Sequence, residues 1–383
     1  MSESSSIASI RRSSDSAKMG FLDFLRGNSK LRPHEIMKKL AGQLESFPNQ
    51  GISLSSTELS DLETYTAAAC GGNISNVYIK KPPKPDEIER CLEVAQVSNL
   101  MVQIASRCAR LDPEPRRVVS AIWGYLLKIE HPKTNKRTMV DYLICHTEAV
   151  ATLFDLYGKN SSGADVIIGV MIRDASRFSQ IVNFILSSGL VYRLFPVLTS
   201  DNFDVSTDAF QTLKDVLTNH KEVSAPWLSK NADKFFPECM KLVDPRTNGR
   251  TDYVTVRQMI TLLTTMMLDR PFMEAMIQFV SNEQFLVKTL ILLGNPSKVV
   301  QYETFHLFKI FAANPRKPQK VSKLLINNSE RILRILEQIE QDRLDDTEFK
   351  QDKQAVVAKL KALSNPKPVE PSSSMTSSRS SDR

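Results

Sequence analysis

Residues 305–315 read FHLFKIFAANP, with a phenylalanine at every third position of the first turns and a polar stop at the end. Two earlier stretches, which start at Phe210 and Met259, repeat this pattern of apolar residues three and four positions apart. Weaker copies start at Val119 and Val166, so successive starts are 47, 44, 49 and 46 residues apart. Apolar residues at such spacing lie on one face of an α-helix.

The distance between the copies indicates the architecture. It falls in or just past the range of roughly 40–47 residues that armadillo and HEAT repeats occupy. A unit of this length holds two or three helices and buries its apolar face only by stacking on its neighbours. Glycine is scarce, with 13 residues in 383, and no run alternates apolar and polar residues as a half-buried strand does. The sequence therefore predicts an all-α fold, an armadillo/HEAT-like right-handed α-superhelix with one concave and one convex face.

Helix start and stop signals agree with this prediction. Pro33 stands at a predicted first helical position, and residues 55–58 (SSTE) form a predicted capping box. Gly71-Gly72 is a predicted helix stop, and Pro85 opens the next helix. Turn-forming connectors, none of them long or polar enough to separate domains, lie at residues 112–115, 131–133, 161–163 and 244–250.

The two ends of the chain differ in composition from its middle. Residues 1–18 are rich in serine, and residues 364–383 combine prolines with a run of serine and threonine. Such segments cannot bury enough apolar surface to offset the entropy of ordering. We therefore expect a disordered extension at 1–18, a single helical-repeat scaffold domain at 19–363 and a disordered tail at 364–383. No apolar stretch approaches the ~20 residues of a membrane span, so a cytoplasmic chain without membrane insertion is expected.

The distribution of charge indicates which class of partner to expect, and the cysteine spacing indicates the state of the thiols. The net charge is +7, of which each predicted tail carries +1, and the rest is spread over the middle of the chain. The densest basic cluster is a short proline-rich loop, residues 80–85, whereas nucleic-acid binders concentrate basic residues on one face. We expect a solvated surface and no nucleic-acid partner. The five cysteines form no Cys-x-x-Cys pair, which fits reduced thiols in a core.

Motifs of enzyme and metal sites are absent from the sequence. It contains no phosphate-binding loop, dinucleotide fingerprint, zinc-protease helix, hydrolase elbow or kinase catalytic loop. His146-Thr147-Glu148 resembles the first half of a deaminase motif, but no Pro-Cys-x-x-Cys follows it. The acidic residues at 342–348 lack the glycine of a calcium loop. We therefore expect no catalytic residue, no metal site and no cofactor, which means that the protein is not an enzyme.

Five methionines crowd the region from 259 to 276. Methionine fills irregular cores, and it also lines adaptable peptide grooves. Grooves between stacked helices are where repeat proteins hold peptides. The spacing favours a core position for most of these methionines and a groove position for one or two.

Several strings point to a family. They are FDVSTDAF at 203–210, YVTVRQ at 253–258, LDR at 268–270, QYETFHLFK at 301–309 and ANP at 313–315. In this order they resemble the calcium-binding protein 39 family, also called the mouse-protein-25 or Hym family. The resemblance is dense from about 198 to 350 and thinner from about 19 to 197.

The resemblance implies a non-catalytic scaffold that activates protein kinases in intracellular signalling and cell polarity. Family members bind a STRAD-type pseudokinase together with a liver-kinase-B-like kinase, and they bind germinal-centre-class kinases directly. The concave face holds the kinase fold in its active-like arrangement, and a separate pocket takes a Trp-Glu-Phe tail. By this resemblance the chain is monomeric alone and joins a heteromeric complex.

Concave-face positions of the family fall on Tyr253, Arg257 and Arg270, and a family phenylalanine is replaced by Met273. Arg257 is equally well explained as a surface arginine in an i,i+4 pair. Arg270 has a second explanation as a cation that complements the dipole at a helix C-terminus. Both explanations stay open on the sequence alone.

A family methionine of the tail pocket is replaced by Leu290, and two family lysines near that pocket are replaced by Val287 and Asn327. An α-solenoid adaptor for peptides or cargo, without effect on kinases, is the alternative function. The five family strings favour the kinase scaffold because a generic solenoid would not share all of them.

Overall fold

A computed structural model describes residues 31–47, 54–71, 83–244, 253–341 and 346–364. The predicted extension 1–18 lies outside the described residues, as does the predicted tail beyond Ser364. The chain divides into two compact units, Met1–Asn231 and Ala232–Arg383. The single domain at 19–363 stays a prediction. Every regular element in the described part is helical, and none of its residues forms a β-strand.

The first unit contains eleven described α-helices, and the boundary between the units falls within a twelfth, α12 (Lys221–Leu242). The eleven are α1 (Pro33–Ser46), α2 (Ser56–Ala69), α3 (Pro85–Val97), α4 (Leu100–Arg107), α5 (Pro113–Lys128), α6 (Thr138–Cys145), α7 (Thr147–Leu156), α8 (Ser162–Ala175), α9 (Ser179–Ser187), α10 (Leu194–Leu198) and α11 (Phe203–Thr218). Short 3₁₀ turns occupy Cys108–Arg110 and Leu190–Arg193.

The second unit continues with seven described α-helices. They are α13 (Tyr253–Leu268), α14 (Met273–Ser281), α15 (Glu283–Leu293), α16 (Lys298–Ala313), α17 (Gln319–Asn327), α18 (Ser329–Gln341) and α19 (Thr347–Ser364). The 3₁₀ turn Arg270–Phe272 joins α13 to α14.

Within each unit, one set of helices forms a ladder in which each member packs against the helix three positions later in the chain. In the first unit this ladder runs through α2, α5, α8 and α11, and in the second it runs through α13, α16 and α19. The apolar copies found in the sequence lie on five of these ladder helices, namely α5, α8, α11, α13 and α16. Within each unit, successive ladder helices are therefore three helices apart along the chain, whereas only α12 lies between α11 and α13. The predicted all-α fold of armadillo/HEAT-like helical repeats is confirmed.

The helix ends show why these residues start and stop helices. The Ser55 Oγ accepts a hydrogen bond from the backbone N–H of Glu58 at 3.2 Å, and a Glu58 carboxylate oxygen accepts one from the Ser55 N–H at 2.8 Å. This is the predicted capping box, which satisfies two backbone donors that the helix itself leaves unpaired. Pro33 and Pro85 are first residues of α1 and α3. Gly71 follows α2 with a left-handed φ of 73°, which suits glycine.

Buried polar contacts fix the ladder of the first unit. The indole N–H of Trp123 on α5 donates to the backbone oxygen of Met171 on α8 at 3.0 Å. Arg173 on α8 holds Asp208 on α11, with Nη2 2.6 Å from Oδ1. The Tyr157 hydroxyl donates to the other carboxylate oxygen of Asp208 at 2.5 Å. All these groups are paired, so their burial carries no unsatisfied charge.

Aromatic side chains fill the core of the second unit. The Phe279 ring on α14 lies 5.0 Å from Phe236, 5.1 Å from Phe285 and 5.5 Å from Phe311, measured between ring centroids. These distances lie within the ~4.5–7 Å of favourable aromatic pairs. One side chain thus joins four helices, α12, α14, α15 and α16.

The cysteine prediction holds for three of five residues. Cys91, Cys108 and Cys239 are buried free thiols, whereas Cys70 is partly exposed and Cys145 is exposed. Burial raises the pKa of Cys91 and of Cys108 to about 12, so both thiols are protonated at neutral pH. Cys145 is the last residue of α6 and faces solvent, because the packed face of that helix takes Met139, Val140, Tyr142 and Leu143.

Gly42→Ala is expected to stabilise the first unit by about 0.5–1 kcal/mol, because alanine loses less backbone entropy than glycine inside a helix. Gly42 lies in α1, and a Cβ built there has no neighbouring atom within 4 Å. Urea denaturation followed by tryptophan fluorescence measures the change. Gly124→Ala is the matched control, because a Cβ at Gly124 would overlap the Asp174 carboxylate and should lower stability. If Gly42→Ala were no more stable than the natural chain, the conclusion that a Cβ at this position meets no neighbouring atom would be contradicted.

Candidate functional site

Two of the predicted site residues lie one turn apart at the start of α13. Tyr253 is 42% exposed, and the Arg257 side chain is 51% exposed. Residues four apart on a helix share a face. The Arg257 Nε lies 3.6 Å from a carboxylate oxygen of Glu303 on α16. Arg257 therefore pairs with the neighbouring ladder helix rather than with an i,i+4 partner in its own helix.

Arg270 and Met273 flank the 3₁₀ turn between α13 and α14. Phe272 is fully buried and anchors the turn, whereas Met273 is 52% exposed. Arg270 is exposed, and it forms no ion pair with a carboxylate in the described part of the chain. The turn thus presents a cation and an apolar side chain together, because residues three apart in a 3₁₀ turn lie on the same side.

Ile277 extends this surface and was not among the residues predicted from the sequence. It lies four residues after Met273 on α14 and is also 52% exposed. We call the surface formed by Arg270, Met273 and Ile277 the α14 face. The only signal for Ile277 in the sequence is its i,i+4 relation to Met273, which does not tell whether a neighbouring helix covers both residues.

The methionines divide between core and surface. Met259, Met266 and Met267 on α13 are buried, Met276 is partly buried and Met273 is exposed. Most of the cluster therefore fills the core of the second unit, as the helical spacing favours.

A second candidate surface is a cavity of about 400 Å³ between α15, α17 and α18. Most of its lining is aliphatic, and Arg331 is the one charged residue in that lining. The lining residues are Val287, Leu290, Ile291, Leu293, Gly294, Leu324, Asn328, Arg331, Ile332 and Ile335.

Some of the positions that the family resemblance assigned to a tail pocket lie at this cavity. Leu290 and Val287 both line it, whereas Asn327 is exposed and its neighbour Asn328 lines the cavity instead. Arg331 was missed. A Cβ built on Gly294 would lie 3.6 Å from an Arg331 guanidinium nitrogen, so this cation lies beside the C-terminal end of α15. The helix dipole favours a positive charge at that position.

The first unit has its own open cavity, of about 640 Å³, between α8 and α11. Phe203, which lines it, is 60% exposed although it begins one of the strings that resemble the family. Asp204 and Gln211 of α11 and Val166 of α8 lie in the same lining. An exposed aromatic beside a cavity is a common feature of protein-binding surfaces.

Neither a metal-ligand cluster nor a single membrane-spanning helix occurs in the described part of the chain. No group of three or more His, Cys, Asp or Glu residues converges there, and His146 stacks on the Tyr142 ring at 4.0 Å. No single described helix combines the length and the hydropathy of a membrane span. The pair Ser179–Ser187 and Leu190–Leu198, bent by 75°, reaches them only when the two helices are joined.

Comparison with known proteins gives consistent matches over nearly the whole described chain. A family model described as Mo25-like matches residues 24–364. The chain is 34% identical over 275 residues to the degreening-related gene dee76 protein of Auxenochlorella protothecoides, covering 72% of this chain and 81% of that protein. It is 28% identical over 347 residues to the human calcium-binding protein 39-like protein, covering 90% of this chain and 98% of that one.

Solved structures of designed armadillo repeat proteins for modular peptide recognition also match. The identity is 13%, the match covers 84% of this chain and 99% of the designed one, and the TM-score is 0.34.

Proposed function

Because this chain belongs to the Mo25-like family, we propose that it is a non-catalytic cytoplasmic scaffold that binds and allosterically activates protein Ser/Thr kinases. The proposed partners are a STRAD-type pseudokinase with a liver-kinase-B-like kinase, and germinal-centre-class kinases. The proposed setting is signalling in cell polarity and morphogenesis. The resemblance of the five strings supports these partner classes.

The α14 face is the observation that carries the proposal. Met273 and Ile277, each 52% exposed, lie beside Arg270, which forms no ion pair with a carboxylate among the described residues. Exposed apolar side chains next to an arginine are enriched at the centres of protein interfaces. The fully buried Phe272 holds the face in place, so little ordering entropy is lost when a partner binds.

A scaffold without catalytic groups raises kinase activity by binding the active-like conformation more tightly than the inactive one. Shifting a kinase from a 1:99 to a 99:1 ratio takes a difference in binding free energy of about 5.5 kcal/mol. A complementary face on a rigid stack of helices supplies such a difference because it fits only one arrangement of the partner.

The cavity lined by Leu290 supplies the second contact in this proposal. Its aliphatic walls suit the aromatic side chains of a Trp-Glu-Phe tail, and Arg331 suits the glutamate between them. A tail bound there tethers the partner, which raises the effective concentration of the rest of the partner at the α14 face.

The double variant Arg270→Ala/Met273→Ala is expected to weaken binding of a germinal-centre-class kinase at least about 30-fold, the effect of losing ~2 kcal/mol at an interface hot spot. Isothermal titration calorimetry measures the affinity, and a phosphotransfer assay measures kinase stimulation. Both side chains are exposed, so helicity by circular dichroism should stay the same.

The matched control is Arg90→Ala/Val97→Ala, which removes an exposed arginine and an 85% exposed valine from α3. It should leave binding and stimulation unchanged. Full stimulation by the Arg270/Met273 variant would refute the role of the α14 face. Binding without any stimulation by the natural chain would instead support the adaptor alternative.

A further inference from the structure

The Leu290 cavity has a chemistry that fits an apolar side chain next to an acidic one. Its aliphatic walls come from three helices, and its volume of about 400 Å³ lies at the low end of ligand pockets. Arg331 forms no ion pair with a carboxylate among the residues that the structure describes. A carboxylate brought to Arg331 would form a charge-assisted hydrogen bond, which is stronger than a neutral one.

The last described helix of the chain packs against two of the helices that line this cavity. α19 ends at Ser364 and packs against both α17 and α18, the two helices that supply Leu324, Arg331 and Ile332 to the lining. Burial, and then the nearby charge of Lys359, lower the pKa of Lys317. The last turns of α19 therefore lie close to the beginning of α17.

The residues that follow Ser364 carry the complementary groups. They read NPKPVEPSSSM at 365–375, in which the apolar Val369 precedes Glu370 directly and Met375 follows. Prolines flank the Val369-Glu370 pair on both sides. Proline restricts the free chain, so binding such a segment costs less conformational entropy.

The length of the segment is sufficient for it to reach the cavity. At about 3.3 Å per residue, the eleven residues from Ser364 to Met375 span up to roughly 36 Å. α17, along which the segment has to pass, has nine residues and is about 14 Å long.

We propose that residues 366–375 bind in the Leu290 cavity of the same chain, with Glu370 at Arg331 and with Val369 and Met375 against the aliphatic walls. The segment then competes with a partner's tail for one site. This inference rests on the proposed function of the cavity. It adds a regulation of that site by the chain's own C-terminal residues.

The test compares the natural chain with a chain that ends at Ser364, using a fluorescent peptide that ends in Trp-Glu-Phe as the probe. If the segment occupies the cavity in about nine molecules of ten, the shortened chain binds the peptide about tenfold more tightly, because only open cavities are competent. Glu370→Arg should have the same effect. Asp382→Arg, a matched charge reversal farther along the chain and outside residues 366–375, should not.

Hydrogen exchange gives a readout that does not need the peptide. Amides at 324–335 should exchange more slowly in the natural chain than in the shortened one, and Glu370→Arg should remove the difference. Adding Arg331→Glu to Glu370→Arg should restore the slow exchange. Equal exchange and equal peptide affinity in the natural and shortened chains would overturn the inference while leaving the proposed function intact. If the peptide bound neither chain but amide exchange at 324–335 still differed between the natural and the shortened chain, the tail-binding function of the cavity would be refuted instead.

Discussion

Phe279→Ala is expected to lower the free energy of unfolding of the second unit by about 3–5 kcal/mol. Phe279 is fully buried, and its ring contacts Phe236, Phe285 and Phe311 on three other helices. Truncation removes the transfer free energy of the ring and leaves a cavity that four helices cannot close together. The favourable ring pairs are lost in addition.

The measurement is urea denaturation followed by circular dichroism, together with hydrogen exchange at α14, α15 and α16. Ile277→Ala is the matched control on the same helix, because that side chain is 52% exposed and should change stability by less than about 0.5 kcal/mol. Equal stability of the two variants would mean that Phe279 is not a core residue.

Asp208→Ala is expected to destabilise the first unit by about 3–5 kcal/mol, the effect of removing one partner from a buried ion pair. The side chain of Arg173 is 18% exposed and that of Asp208 is 10% exposed, so water does not replace the lost carboxylate. Burial, and then the charge of Asp208, raise the pKa of Tyr157, so its hydroxyl stays protonated and donates to Asp208. In the Asp208→Ala variant this hydroxyl also loses its hydrogen-bond acceptor.

Tryptophan fluorescence reports this unfolding, because Trp123 and Trp227 both lie in the first unit. Asp204→Ala is the matched control, since Asp204 is exposed in the first turn of the same helix. Its loss should cost no more than about 1 kcal/mol, from the helix dipole. If Asp208→Ala were as mild as Asp204→Ala, the Arg173 pair would not be needed to hold α8 against α11.

The repeats, the capping box at Ser55 and the proline starts of α1 and α3 could be predicted from the sequence. Each of these depends on residues within a few positions of one another or on a periodicity, and both are visible in one dimension. The contact between Tyr157 and Asp208 could not be predicted, because it joins residues 51 positions apart through the packing of two helices. The period of 44–49 residues left two or three helices per repeat open. The ladder contacts give three within each unit, whereas the stretch from the start of α11 to the start of α13 holds two.

The candidate site was predictable to a lesser degree. Met273 and Met276 lie on one short helix, and only the position of the neighbouring helices leaves the first exposed and covers part of the second. The Leu290 cavity needs α17 and α18 as walls, so its lining by Arg331 follows from tertiary packing. Periodicity marks the face of a helix that is buried, but it does not tell which part of the other face stays open to a partner.

The ladder of every third helix has a consequence for how such a chain can change its length. Residues added to a connector such as 129–137, which lies between α5 and α6, leave each ladder contact in place and cost little loop entropy. Deleting one helix would instead bring the wrong helix into the ladder and misalign every contact after it. Length can therefore change in small amounts at the connectors, but within the ladder of either unit only by whole groups of three helices.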